Sequence, residues 1–518
     1  MAIRQASWYR SLAVRLAASV FRWRDAGRSP VSQMSLTMLS MKRRTFLTAT
    51  AAAVGGTRSL LQAAARQPES GFTVGGAVRD VTPPIGVSLS GSISRGGKSR
   101  GVNDPLCVRT TVVESGGVRC AIAIVDACFL GEPVFSNARR LVEQRTGIPA
   151  THLLVAATHS HAAPRALHIG RISDLDDAWH DDLAKKIADA VAEADTRREP
   201  ARLFAGAIAL PELAQSRRHH AEPASVPPNP FGETGETVVS VQAGPAKRLR
   251  PAGPIDPDFS LFYAARPDGS PLMLLGNFSI HYCGGYAEMK VSADYFGAFC
   301  RHLEKRLAGQ TGGRRFTALH SNGTSGDISG LGTPADLAGR KFAAFERGEA
   351  IGEWLAARVA GHLPKLQPIQ GRHLAVHWRP LSFGLRKPSP ARLAWAADVL
   401  AGRIKGPHHQ TKTYADEAQK LAGYPDTIEL PLQVLRLGGL AIAASPCETF
   451  AETGLAIKAA STAARTFTVS LANGYGGYLP TAEQHRFGGY ETWAARSSLL
   501  AMDAEARLRR TLVELVRG

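Results

Sequence analysis

From residue 71 onward, short apolar runs alternate with polar turns. Runs of about four to eight residues bounded by Gly, Pro or Asn read as strands, and longer stretches with apolar residues three and four apart read as helices. FTVGGAVRD, closed by Pro83-Pro84, is the first strand. CVRTTVVES and VRCAIAIVDACFL flank Gly116-Gly117 and predict a hairpin. A helix over about 135–146 precedes the buried strand LLVAA at 153–157, and a second helix follows over 181–194. Strand, strand, helix, strand is an α/β order. FSLFYAAR and PLMLLGNFSI predict another hairpin around Pro267-Asp268-Gly269, followed by a helix over 295–307 and the strand FTALH.

Further along, helices are predicted over 341–363, 390–402, 414–422 and 449–462, and a terminal one over 492–517. Among them lie the strands HLAVHWRPLSF and TFTVSLANG and the hairpin IELPLQVLRLGGLAIAA, which turns at Gly438-Gly439. Residues 213–255 are polar, Pro-rich and without period, and read as a long loop or lid. No internal repeat stands out. The expected fold is α/β, a mixed β-sheet core flanked by helices, with any site at strand ends.

The net charge of +18 over 518 residues invites a nucleic-acid reading, but residues 1–66 alone supply +10 of it. The remaining positive charge is interleaved with acids and forms no basic block, which argues against a nucleic-acid partner. The excess has another source. Lys42-Arg43-Arg44-Thr45-Phe46-Leu47 resembles a twin-arginine export signal, and Ala63-Ala64-Ala65 offers small residues for cleavage. Residues 1–40 then read as a disordered or misannotated leader, 41–66 as the signal peptide and 71–518 as the catalytic domain. The expected location is outside the cytoplasm, periplasmic or secreted. The six cysteines form no C-x-x-C pair, so thiolate zinc is not expected and buried free thiols are.

The chemistry gathers where strands end. Leu153 to Ala157 runs straight into Thr158-His159-Ser160-His161, and Pro164 stops regular structure beyond it. Two imidazoles at i and i+2 lie near one face of an extended segment, which suits a metal ligand beside an acid/base group or a second ligand. Two surface histidines in a loop would have the same spacing. The pattern recurs: His281 follows LLGNFSI, Glu448 follows LAIAASPC, and Tyr478 follows VSLANGYGG. Strand ends along one sheet edge are where α/β folds build sites. Two imidazoles and a carboxylate make a catalytic zinc site with an open position, and a Tyr phenolate is a chemically reasonable fourth ligand. Each residue also has a plainer reading: a core histidine, a helix-start acid, a core aromatic. His219, His220, His408 and His409 have no motif around them and read as solvated. No G-x-S-x-G follows a strand, which disfavours serine hydrolysis; Ser325, in Gly323-Thr324-Ser325-Gly326, is the one Gly-flanked Ser near a candidate.

Several ordered motifs together resemble the neutral/alkaline, non-lysosomal ceramidases: RDVTPPIG, GVNDPL, VDACF, ATHSHAAP, NFSIHYCGG with VSADYFG, SGDIS, LAIAASPCE and NGYGGYLPTAEQHRFGGY. They cover roughly residues 72–515. The resemblance implies one zinc ion held by His159, His281, Glu448 and Tyr478. It implies catalytic roles for His161, Tyr490 and Arg217, with Arg218 as the alternative register, and places Ser329 near the amide-binding region. It further implies hydrolysis of the N-acyl amide of ceramide or a related lipid, a lipid or small-molecule amide substrate, and peripheral contact with membranes. On this resemblance, the stretch after Tyr490 is not expected to form the family's C-terminal β-rich domain. The alternatives are an exported lipid- or glycan-binding protein without turnover, or a metallohydrolase of another amide or ester.

Overall fold

The computed structural model describes residues 71–89, 97–166, 177–241, 246–284, 288–330 and 332–518. The expected leader and signal peptide lie outside these residues.

Strand β1 (Phe72–Asp80) pairs antiparallel with β2 (Cys107–Ser115), which turns into β3 (Val118–Val125). The turn needs Gly116 and Gly117 because both have positive φ, 59° and 80°. Helix α1 (Glu132–Thr146) then crosses over to β4 (Leu153–Ala157), which pairs parallel with β3, and α2 (Asp177–Thr196) follows. The same order returns at once. Strands β5 (Glu199–Ala209), β6 (Asp258–Ala265) and β7 (Pro271–Phe278) run antiparallel, α3 (Asp294–Leu307) crosses to the parallel β8 (Thr317–Asn322), and α4 (Glu346–His362) follows. It returns a third time in β9 (Leu374–Gly384), β10 (Thr427–Leu437), β11 (Leu440–Ala444), α7 (Ala451–Ala460), β12 (Arg465–Val469) and α8 (Ala504–Arg517). Here α5 (Pro390–Leu400) and α6 (Thr411–Ala422) are inserted between the first two strands. The described chain is thus three β-β-β-α-β-α units with one ladder pattern, antiparallel, antiparallel, parallel.

The first two units join through β1 and β5 into one nine-stranded sheet, ordered β8-β7-β6-β5-β1-β2-β3-β4, with the short strand Gln367–Pro368 beside β5. The third unit is a separate four-stranded sheet, β9-β10-β11-β12. One face of the large sheet packs against the small sheet, where Ile122, Leu154, Phe262 and Leu275 meet Leu435, Ile442 and Phe467. The other face is covered by α1 and α2 on one half and by α3 and α4 on the other. Helix α8 covers the outer face of the small sheet through Leu508 and Leu512. Strands buried on both faces read as unbroken apolar runs, as β4 does in LLVAA. Each large side chain buried in these layers contributes about 1.5–3 kcal/mol.

The α/β expectation holds, and four expectations need correction. The repeat is real but lies in connectivity, hidden because the stretch between first and second strands differs in each unit. Residues 213–255 are not a plain loop: 218–221, 238–240 and 248–251 form a three-stranded ribbon, and 215–216 pairs with 328–329. Strands of two to four residues are too short to show alternation. His219 and His220 sit half-buried in that ribbon, and His408 stands against Trp493 rather than free in solvent. The terminal helix begins at Ala504, not near 492. Upstream of it, Arg386 holds the Thr492 carbonyl and the Ser498 hydroxyl, each at 2.7 Å, and Arg496 holds Glu417 at 2.7 Å, which fixes an irregular course. All six cysteines are free, as expected. Among the described residues, no helix is long and apolar enough to cross a membrane.

Candidate metal centre

Each unit sends one side chain to a common point: His159 from beyond β4, His281 from beyond β7, Glu448 from beyond β11. The expected single sheet edge is therefore corrected to the strand ends of two sheets. His159 adopts φ of 71°, a left-handed conformation unusual for a residue with a side chain and one that collects at functional sites. Its backbone N–H donates to the Ala127 carbonyl at 2.9 Å, holding the bend in place.

The hydrogen bonds fix the tautomers. His159 Nδ1 lies 3.0 Å from the Cys128 carbonyl, and His281 Nδ1 lies 2.9 Å from the Ser325 carbonyl. A carbonyl only accepts, so both Nδ1 atoms carry the proton and both neutral Nε2 atoms present lone pairs. Yet the two Nε2 atoms stand 3.1 Å apart, and His161 Nε2 is 3.2 Å from that of His159. Glu448 Oε2 lies 3.4 Å from His159 Nε2 and 3.9 Å from His281 Nε2, and it is buried with no hydrogen-bond partner. Converging lone pairs repel unless a positive charge sits among them. A proton on one ring would serve, and despite burial the Glu448 carboxylate raises His159 to about 10. Burial, with Arg217 and His159 nearby, keeps His281 and His161 well below the usual imidazole value. A cation that displaces that proton would meet two imidazole Nε2 lone pairs and the unpartnered Oε2 of Glu448, a donor set that fits a metal ion.

The surroundings hold the set rigid. The Tyr475 hydroxyl donates to Glu448 Oε1 at 3.1 Å, leaving Oε2 toward the histidines. His161 stacks on Tyr282, with ring centroids 3.7 Å apart. Backbone approach is so close at Gly326 that a Cβ there would collide with the Glu448 carbonyl. Removing an outer hydrogen bond of this kind typically costs 10–100-fold in metal affinity. Tyr475→Phe is therefore expected to weaken metal binding by about that factor with little change in melting temperature, measured by competition with a chelator of known affinity.

The choice between Arg217 and Arg218 is settled by geometry. Arg217 Nη1 is 2.9 Å from His281 Nε2, its Nη2 donates to the Gly326 carbonyl, and its Nε donates to Glu491 Oε1 at 3.1 Å. Arg218 turns away, donating to Glu491 Oε2 at 2.6 Å, to Gln484 Oε1 at 3.0 Å and to the Gly488 carbonyl at 2.7 Å. The parallel ladder pairs Tyr478 with Glu448 itself. The Tyr478 and Tyr490 rings meet edge to face at 5.7 Å, and the Arg217 guanidinium lies 5.2 and 5.3 Å from their centroids. Burial raises both phenols above their ordinary value, so both are protonated in this arrangement. Ser329 is buried on the short strand beside Arg217, its backbone opposite Gln215. The structure thus gathers His159, His161, Arg217, His281, Glu448, Tyr478 and Tyr490, with Ser329 placed by its ladder alone. Cys128, Tyr282, Tyr475 and Glu491 were not singled out from sequence. Tyr475 lies in the same Gly-aromatic stretch as Tyr478, and Glu491 directly follows Tyr490.

No protein-family model matches the chain, and no curated protein matches it in sequence. Solved structures do. The crystal structure of neutral ceramidase from Pseudomonas aeruginosa superposes with a TM-score of 0.64 at 19% identity, covering 87% of this chain and 74% of that one. The chain has the neutral-ceramidase fold. A ceramidase complexed with C2 superposes with a TM-score of 0.63 at 19% identity, covering 86% of this chain and 75% of the other. Within the ceramidase fold of this chain, several of the stretches that carried the sequence resemblance contact His159, His281 or Glu448: Cys128 of VDACF, Ser325 of SGDIS, and Tyr475 and Tyr478 of NGYGGYLP.

Proposed function

We propose that the chain is a zinc-dependent amidohydrolase that cleaves the N-acyl amide of ceramide or a related N-acyl lipid. The observation that carries this reading is the convergence of two imidazole Nε2 atoms and the unpartnered Oε2 of Glu448, with the Arg217 guanidinium beside them. His159, His281 and Glu448 would hold the ion, with Tyr478 as the fourth candidate. Bound there, zinc supplies a Lewis acid that activates water near neutral pH.

The remaining steps belong to the chain. Once His281 Nε2 gives its lone pair to a metal, the N–H of Arg217 Nη1 has no acceptor there and is free for a substrate oxygen. Tyr490, protonated, is a second donor beside it, so charge developing on the amide oxygen meets two fixed donors. His161, kept neutral by burial, would accept the proton that the attacking water loses and hand it to the departing amine nitrogen. Burial of these groups excludes bulk water and strengthens each interaction.

Tyr490→Phe removes one donor to the developing oxyanion and is expected to lower kcat by about 10²–10³-fold with KM little changed. Steady-state hydrolysis of a fluorescent N-acylsphingosine checks it; an unchanged kcat would remove Tyr490 from this role. The reading itself is tested by fatty-acid release from ceramide, lost with a chelator and restored by zinc. Metal binding without release from any N-acyl lipid would overturn the substrate assignment. On the motif at 42–47, we place the chain outside the cytoplasm, where it would meet its lipid at a membrane surface.

A further inference from the structure

Two sets of candidate ligand atoms meet at His159. One is His159, His281 and Glu448; the other is Cys128, His159 and His161, and in each the three atoms lie within 4.8 Å of one another. Cys128 is a buried free thiol in the loop beyond β3. Its backbone N–H donates to the Pro164 carbonyl at 2.9 Å, and its own carbonyl holds His159 Nδ1 at 3.0 Å, so the residue is pinned on both sides. Because Nδ1 of His159 keeps its proton, only Nε2 has a lone pair, and His159 serves one ion at a time. The two sets are therefore alternatives, and they differ in softness. A carboxylate favours harder ions, whereas a thiolate selects soft ones.

We propose that Cys128, His159 and His161 form a second ligand set, which captures soft ions such as cadmium in place of the ion held through Glu448. This rests on the metal-centre reading and goes beyond it, because it assigns the site a second occupancy with different chemistry. On binding, the Cys128 thiol gives its proton to solvent and its sulfur becomes a ligand, with no change of oxidation state. The imidazole of His161 is consumed as well. Since that is the group assigned to proton transfer, the soft-ion form is inactive however tightly the ion is held.

The test is a cadmium titration of the metal-free full chain, followed by ultraviolet thiolate-to-cadmium absorption, for the natural chain, Cys128→Ser and Glu448→Gln. The expected result is one cadmium per chain with a thiolate band in the natural chain and in Glu448→Gln. In Cys128→Ser the band is expected to vanish and cadmium affinity to fall at least about tenfold, while zinc affinity stays within about threefold. A cadmium form of the natural chain without the band, or a Cys128→Ser chain that binds cadmium as tightly, overturns the proposal. A chain that binds zinc but gives no thiolate band loses only the second ligand set. A chain that binds neither ion loses the metal centre with it.

Discussion

Glu448→Ala is expected to leave the chain folded but without stoichiometric zinc, and N-acyl hydrolysis is expected to fall to background. The site it empties contains three imidazoles and the Arg217 guanidinium, and Glu448 supplies the carboxylate among them. Without it, the charged group nearest the histidines would be the Arg217 guanidinium, 2.9 Å from a ligand nitrogen and itself held by Glu491. The histidines alone then have to meet the full desolvation cost of the ion, which is several kcal/mol or more for a buried charge. Elemental analysis of the purified variant, with a thermal melt alongside, separates loss of metal from loss of fold. A variant that keeps one tightly bound zinc would show that another residue is the ligand.

Glu491→Gln is expected to cost about 3–5 kcal/mol of stability, because it removes one partner from a buried ion network. Glu491 is a single carboxylate between two guanidiniums, with Arg217 on Oε1 and Arg218 on Oε2, all three buried. An amide offers one accepting oxygen and no charge, so one arginine is left without its partner. The same change should lower kcat, since Arg217 is then no longer held toward His281. A double-mutant cycle distinguishes these effects. If Glu491 acts by positioning Arg217, then adding Arg217→Met to Glu491→Gln should lower kcat much less than Arg217→Met does alone. Urea unfolding reads the stability cost independently.

Much of the fold was legible because its signals are local. LLVAA is too short for a helix and too apolar for an exposed strand, and Gly116-Gly117 gives a turn in the backbone's own terms. The candidate side chains directly follow such strands, so position singled out His159, His281 and Glu448, and the family resemblance joined them into one ligand set. What sequence could not give was their convergence, since β4, before His159, is one edge of the large sheet, β7, before His281, lies next to the opposite edge, and Glu448 lies beyond a strand of the other sheet. The threefold unit was hidden for a related reason: its sameness is in pairing direction, which no single residue records. Arg217 lies between two short strands and Arg218 opens the second, and only the hydrogen bonds to Glu491 and His281 tell which faces the site. Tyr475 and Glu491 act on other side chains rather than on the point where the ligands meet, and their roles become visible only through a named partner atom.

The most direct measurement is an anomalous diffraction map at the zinc edge from crystals of the zinc-loaded chain. The expected result is one peak per chain, bounded by His159 Nε2, His281 Nε2 and Glu448 Oε2, with Tyr478 beside it. A peak held by Cys128, a peak elsewhere, or no peak in a chain that had been offered zinc would contradict the central claim that the three units meet to bind one catalytic metal.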